Sequence, residues 1–390
     1  MLISSTTRIL VTGGTGHLGA AIIHYLVSEK NATPANIRVF YLSGSPADAL
    51  ADIPGLDMRE GNMLNGLEVE AAVKDIDIIF HTAGSTSFDS RQKKMLWLVN
   101  VEGTRNLLEA ARKSPSFKKM VYTSTVNVLA VPEKGKPGTV ASCDPYTAKE
   151  RLHAFCSAAD TLQFIEQARK NEGNWLQRIQ LGYYDSKLAA QELVNYYVQQ
   201  YQLPVVSIMP GTMFGPYDHL LGTGLYLLSL YHNQMPVVTG GGLPLAHVMD
   251  VAEGQVLAME KAKSGSRYIL SGPEQDNRYL KDMCGIIVEV LRERFPDRKF
   301  KAPTLVVPDA LAMLGAAIGE QYAIWFNKPM LLSKAAAKPG LYAQFYSSTE
   351  ATKEIGYKPK RTFKQAVTDM LNYYITHNLL VPHGRWVDKR

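Results

Sequence analysis

Apolar positions in the first half of the chain alternate between two patterns. Short, largely apolar runs occur at Ile9-Leu10-Val11, Arg38 to Leu42, Ile76 to His81 and Lys119 to Ser124. Such runs suit strands covered on both faces, as in a parallel sheet. Between them apolar residues recur at helical spacing, as in Leu18, Ala21, Ile22, Tyr25 and Leu26. The same reading predicts a short third strand within Leu56 to Asn62, a helix over Leu67 to Lys74 and another from about Met95 to Lys113. Helix follows over Tyr183 to Gln200, then strands at Pro204 to Ile208 and Arg267 to Leu270, and a last helix at Phe363 to Thr376. Repeated strand–helix order implies right-handed crossovers and a doubly wound parallel sheet of the α/β class, Rossmann-type.

The pattern loosens between Val131 and Gly182. A connection this long within a compact domain is usually functional, so residues 131–182 are expected to form a lid-like insertion over a site. Residues 1–210 then make the Rossmann-type domain. Residues 211–390 make most of a smaller substrate-binding lobe, with some segments returning to the main sheet.

Composition narrows the class. At 390 residues with 46% hydrophobic and 20% charged positions, the chain can bury a large core. A net charge of +6 is too mild and too dispersed for a nucleic-acid footprint. Cys143, Cys156 and Cys284 contain no C-x-x-C pair, and His81, His153, His219, His232 and His247 show no close ligand pair. No metal and no disulfide framework are expected, and the compartment reads as cytoplasmic. Ala302 to Phe326 is richly apolar, yet Asp309, Glu320, Pro303 and Pro308 interrupt it. It is expected either to be a buried or dimer-facing helix, or to grip a membrane face or an apolar substrate.

Two signals carry chemistry. Thr12-Gly13-Gly14-Thr15-Gly16-His17-Leu18-Gly19 follows a strand and opens a helix. Gly13, Gly16 and Gly19 allow a tight turn there and a close backbone approach to a pyrophosphate at the helix N-terminus. Far downstream, Tyr183 and Lys187 stand four residues apart and share one helical face. A phenol titrates near 10, about three units too high for easy exchange at neutral pH, and a nearby ammonium would favour the phenolate. Thr123, Ser124 and Thr125 end a strand, where ligands of doubly wound sheets sit, and can offer hydroxyls to a carbonyl oxygen. Asn100 is read either as orienting groups near the lysine or as a packing residue.

The cofactor follows from the end of the second strand. Ser43 stands where an acid would bond the ribose hydroxyls of NAD and repel a 2'-phosphate, so NADP is expected in preference to NAD. Asn62, with Met63 beside it, could bond the adenine edge or cap a turn.

These motifs, together with His81-Thr82-Ala83-Gly84, Asn100 to Leu108, Val121 to Thr125 and Met209 to Pro216, resemble the extended short-chain dehydrogenase/reductase family. The resemblance lies within the NAD-dependent epimerase/dehydratase superfamily, in the branch of dihydroflavonol reductases and 3-beta-hydroxysteroid dehydrogenases. It implies Tyr183 as catalytic acid/base, Lys187 as its electrostatic partner and Thr125, or else Ser124, as the substrate-binding hydroxyl. Ala83, Gly84 and Ser85 would face the cofactor, Pro210, Thr212 and Met213 would lie beside the carboxamide, and a homodimer would form. Two departures stand out. A long insertion separates Thr125 from Tyr183, and where the family usually has arginine Met209 opens a stretch to Met235 with no Lys or Arg. Its leucines either receive an apolar substrate or form a core helix. The expected activity interconverts a ketone and a secondary alcohol on a bulky apolar or amphipathic small molecule. Rival readings are a sugar-nucleotide epimerase or dehydratase with tightly bound NAD, and a non-catalytic NADP-binding sensor or scaffold.

Overall fold

In the computed structural model, which describes residues 2–148, 150, 182–328, 330 and 333–380, the apolar runs become a seven-stranded sheet. Strand β1 (Ile9–Thr12) leads into helix α1 (His17–Lys30). Next come β2 (Ile37–Tyr41), β3 (Asp57–Glu60), α2 (Gly66–Val73) and β4 (Ile78–His81). Helix α3 (Lys93–Trp97) and α4 (Thr104–Lys113) flank a π-helical turn at Leu98–Gly103. Strand β5 (Lys119–Thr123), helix α5 (Tyr183–Tyr201) and strand β6 (Val205–Pro210) follow. All pairings are parallel, in the order β3-β2-β1-β4-β5-β6 and then a seventh strand, Arg267–Leu270. The order reverses between β1 and β4. Carboxyl ends of strands at such a reversal leave an open crevice, the usual place for a ligand.

Alternation along each strand explains why these runs are apolar throughout. Ile9, Val11, Ile78, Phe80 and Val121 pack on one face against Ile22, Ile23 and Leu26 of α1. Leu10, Ile79, Met120 and Tyr122 pack on the other against Leu107, Leu108, Leu193 and Val194 of α4 and α5.

The remainder builds beside the crevice. Strand β7 (Thr212–Phe214) precedes α6 (Gly224–Tyr231), β8 (Val237–Val238), β9 (Gly242–His247) and α7 (Val248–Lys261). The seventh sheet strand is β10; β11 (Asn277–Tyr279), α8 (Leu280–Arg294) and β12 (Leu305–Val306) come after it. Four helices close the described chain: α9 (Asp309–Trp325), α10 (Lys334–Ala337), α11 (Thr349–Ile355) and α12 (Phe363–Thr376). Strands β7, β9 and β11 form a second, small sheet.

Three expectations change here. The helix foreseen over Met95 to Lys113 is broken by the π turn. Leu227, Leu228 and Leu230 are fully buried among Met283, Ile287, Leu291 and Met370, so they are core and not a substrate surface. Conversely α9 is not buried, since only Ala316 and Ala323 along it are enclosed. No described helix is long and apolar enough to cross a membrane. The lid foreseen at 131–182 falls largely on residues 149 and 151–181, outside the described residues.

Replacing Leu228 by Ala should lower unfolding stability by about 2–5 kcal/mol through transfer and cavity costs. Leu311→Ala, at a position 58% exposed, should change it by no more than about 0.5 kcal/mol. Denaturant unfolding of the two variants against the parent chain checks the contrast.

Candidate active site

The turn between β1 and α1 closes against the loop after β4. Gly13 adopts φ +67°, and a Cβ there would lie 2.8 Å from the Cα and N of Ala83. Only glycine accepts both the left-handed backbone and that contact. A Cβ on Gly19 would run into the backbone of Gly13 and Gly14. Gly16 precedes α1 with no side chain capping the helix, so its first-turn N–H groups remain available to an anion. Thr15 and Leu18 are buried. The His17 ring is buried as well, near Asp218 and His247, and burial lowers its pKa. What His17 can offer a phosphate is therefore its backbone N–H. These features fit a dinucleotide pyrophosphate.

At the end of β2, Ser43 is exposed on a turn closed by Ser45 N–H donating to Leu42 O, with Gly44 at φ +80°. Arg38 is not free to serve a 2'-phosphate. Its guanidinium bonds Asp57 and the carbonyls of Ala72 and Lys74. Asn62 uses its side-chain oxygen to accept from Leu64 N–H, which is the turn-capping alternative. The Met63 side chain packs in the core with Trp97 and Val101, and its carbonyl accepts from Asn106 Nδ2.

Across the crevice, α5 carries Tyr183 and Lys187, only 9% and 8% exposed. The Thr125 side chain stands beside the Tyr183 phenol and favours its ionised form. Thr125 Oγ1 accepts from Asn127 N–H and Nδ2–H, at 3.3 and 3.1 Å, so its own proton is left to donate. Ser124 Oγ, by contrast, is buried without a hydrogen-bond partner among the described residues. Lys187 Nζ donates to Thr123 O at 2.9 Å and sits 5.2 Å from the centre of the Tyr122 ring. Thr123 Oγ1 accepts from Gln255 Nε2.

The electrostatics depart from expectation. Burial pushes the Tyr183 phenol up to about 12, only partly opposed by the Thr125 side chain. Burial also brings Lys187 down to about 8. In this state burial outweighs the foreseen depression of the phenol.

Asn100 is a clamp. Its Oδ1 accepts from Ser85 N–H, and its Nδ2 donates to Ser85 O and to Ser186 Oγ, which in turn donates to Tyr183 O. The π turn presents it, as such bulges often do at functional sites. A Cβ on Gly84 would come within 3.2 Å of its oxygen. Behind it, Thr104 Oγ1 donates to Asn100 O and accepts from His81 Nε2, so His81 Nδ1 accepts from Thr12 Oγ1. Burial, with the charge of Lys187 adding, takes His81 down to about 3, which keeps this ring neutral.

Pro210 ends β6 beside Leu270 of β10, and Thr212 and Met213 begin β7, half-buried. They border the crevice on the β6 side. Sequence reading missed Ser186, which lies inside the Tyr183–Lys187 turn, and Phe88, whose ring stands 5.4 Å edge-on to Tyr183. A lone aromatic in the polar run Gly84 to Ser90 was the available signal for Phe88. No group of three or more metal-ligating side chains occurs among the described residues.

Comparison with known proteins agrees with this geometry. The family model described as "NAD dependent epimerase/dehydratase family" matches residues 9–270. A putative dihydroflavonol 4-reductase from Synechocystis sp. is 26% identical over 372 residues, covering 94% of each chain. A 3 beta-hydroxysteroid dehydrogenase/Delta 5-->4-isomerase from Mycobacterium tuberculosis is 24% identical over 384 residues, covering 95% of this chain and 90% of that one. The fold is shared with dTDP-glucose 4,6-dehydratase from Bacillus anthracis, solved with NAD, at TM-score 0.65 and 18% identity over 99% of this chain and 100% of that one. The chain belongs to the NAD dependent epimerase/dehydratase family, as an NAD(P)-dependent oxidoreductase of the extended short-chain type.

Proposed function

We propose that this protein interconverts a ketone and a secondary alcohol with NADP(H), on a bulky apolar or amphipathic substrate. The observation that carries the reading is the buried placement of Tyr183 beside Thr125 at the carboxyl end of β5, with Lys187 one turn along α5. Two O–H donors thus converge where a carbonyl oxygen can lie, as polarisation for reduction requires. The crevice would hold a nicotinamide, which would supply or accept the hydride at the carbonyl carbon. Tyr183, protonated across the physiological range because burial raises its pKa, gives its proton to the oxygen as the alcohol forms. Thr125 holds the same oxygen. Lys187 supplies positive charge beside the phenolate left behind, and Asn100 positions rather than reacts, since its carboxamide is engaged by Ser85 and Ser186. Thr15, Gly16 and the first turn of α1 would hold the pyrophosphate, and Ser43 would leave a 2'-phosphate unrepelled.

Support for an apolar substrate comes from what surrounds Tyr183. Phe88, Leu96, Tyr184 and Met209 pack in its cluster, and the relatives named above bear flavonol and steroid names. A homodimer belongs to this reading by family resemblance.

Tyr183→Phe should lower kcat for ketone reduction by about 10²–10⁴-fold with cofactor affinity unchanged. Turnover of NADPH and ketone panels, with a sugar-nucleotide arm, measures it; unaltered ketone turnover, or activity confined to sugar nucleotides, would overturn the proposal.

The pH profile follows from Lys187. Its pKa is lowered to about 8, so the ammonium is present below that pH and is lost as pH rises through it. Reduction should be level below pH 8 and fall above it. Lys187→Arg should carry the falling limb upward beyond the assay range, because guanidinium stays charged; a limb that does not move refutes the assignment.

Ser43→Asp should raise KM for NADPH by at least about tenfold while NADH changes by less than about twofold, since only the phosphate is repelled. Equal effects on both cofactors would remove Ser43 from the ribose site.

A further inference from the structure

Helix α9 is apolar on both faces, with its large and small residues placed the wrong way round for a helix of the protein interior. Its small residues face the body of the protein, with Ala316 and Ala323 enclosed. Its large apolar residues face outward. Leu311, Leu314, Ile318, Tyr322 and Trp325 are 53–74% exposed. Steps of three, four, four and three residues place them on one stripe along the helix. The apolar surface continues through Leu305 and Val306 of β12 and through Phe326. Contiguous apolar surface of this kind marks an interaction site.

Charge selects the occupant. Lys299 and Lys301 precede the stripe and Lys328 and Lys334 follow it, all exposed. Among the described residues none of the four has an ion-pair partner. The helix itself holds only two acids, Asp309 at its start and Glu320, whose side chain accepts from Lys334 N–H. A second copy meeting this face about a two-fold axis would set basic ends against basic ends or against the same uncharged stripe. Anionic headgroups beside an apolar interior suit both features at once. Tyr322 and Trp325 are the residue types that settle at such a boundary. At 17 residues the helix is about 25 Å long and can lie flat on the surface.

We propose that α9 is a membrane-surface helix that seats this protein on an anionic lipid bilayer through Leu311, Leu314, Ile318, Tyr322 and Trp325. The chain leaving α9 returns to the active site. Arg91 bonds Asn327 Oδ1 and Lys328 O, and Ser333 Oγ donates to Phe88 O at 2.8 Å. The Phe88 ring stands edge-on to Tyr183. Docking therefore brings the mouth of the crevice to the lipid interface. This deepens the apolar-substrate reading, which adds that a membrane-dissolved ketone reaches Tyr183 past Phe88; the docking itself is measured without turnover.

The test is co-flotation of the full chain with vesicles of phosphatidylcholine and phosphatidylglycerol in equal parts, against phosphatidylcholine alone. The parent chain should float with the mixed vesicles and do so less at high salt. Leu314→Asp combined with Ile318→Asp should reduce binding by more than about tenfold with the thermal midpoint unchanged. Lys301→Glu with Lys328→Glu should weaken binding to the mixed vesicles only. Lipids brominated near the headgroup should quench fluorescence in the parent and not in Trp325→Phe, a readout that does not depend on the charged variants folding. A parent chain that stays in solution with both vesicles overturns the proposal. So does a parent dimer that the Leu314→Asp, Ile318→Asp variant converts to monomer without changing flotation, since a second copy then covers the face. Flotation with a failed turnover of apolar ketones would leave docking standing and sink the substrate reading.

Discussion

A buried cation sets the terms for the active site. Lys187 is 8% exposed, and an ammonium removed from water costs several kcal/mol unless other groups replace its hydration. Two groups do so, the Thr123 carbonyl and the face of the Tyr122 ring. Both belong to β5. The parallel pairing of β5 between β4 and β6 therefore decides where the charge stands. Because Tyr183 begins the helix that carries Lys187, the same anchor decides where the phenol stands. Compensation is incomplete, and the remaining penalty appears as the fall of the Lys187 pKa to about 8.

The parts legible in the sequence were those whose cause is local. Strand, glycine turn and helix lie within a few residues of one another, and the tyrosine–lysine spacing needs only the helical repeat. The π turn at Leu98–Gly103 was not legible, because its cause is distant. Asn100 bonds Ser85 and Ser186, 15 and 86 positions away, and the hydrophobic period of Met95 to Lys113 carries no trace of either. The sign of the Tyr183 shift was missed for a related reason. Spacing reveals a neighbouring charge, whereas desolvation depends on everything packed around the ring, including Phe88, Leu96 and Met209.

The leucines after Met209 and the apolar run after Ala302 show the same limit from opposite sides. Both are uncharged, helical and rich in leucine or alanine. Leu227 and Leu228 meet Met283 and Ile287 of α8 and become core. On α9 the inward positions are alanines, too small to fill a core layer, and the large side chains are left outside. Periodicity identifies a face; only the partner element decides whether that face is interior.

The glycine turn after β1 and the helix that carries Tyr183 are closely joined, with a mechanical consequence. Gly13 touches the Ala83 backbone with no space for a methyl group. Ser85 holds Asn100 by both its N–H and its carbonyl, Asn100 holds Ser186, and Ser186 holds the Tyr183 carbonyl. Each link is buried or partly buried, where a broken hydrogen bond costs more than it does in water. Displacing the glycine turn must therefore strain the helix that aims the phenol. Hydride and proton transfer to one carbonyl require placement within a few tenths of an ångström of the productive geometry. In the proposed reading, the turn assigned to the phosphates and the phenol assigned to proton transfer belong to elements far apart in sequence. A chain of backbone and amide contacts, not a shared charge, is what keeps them in register.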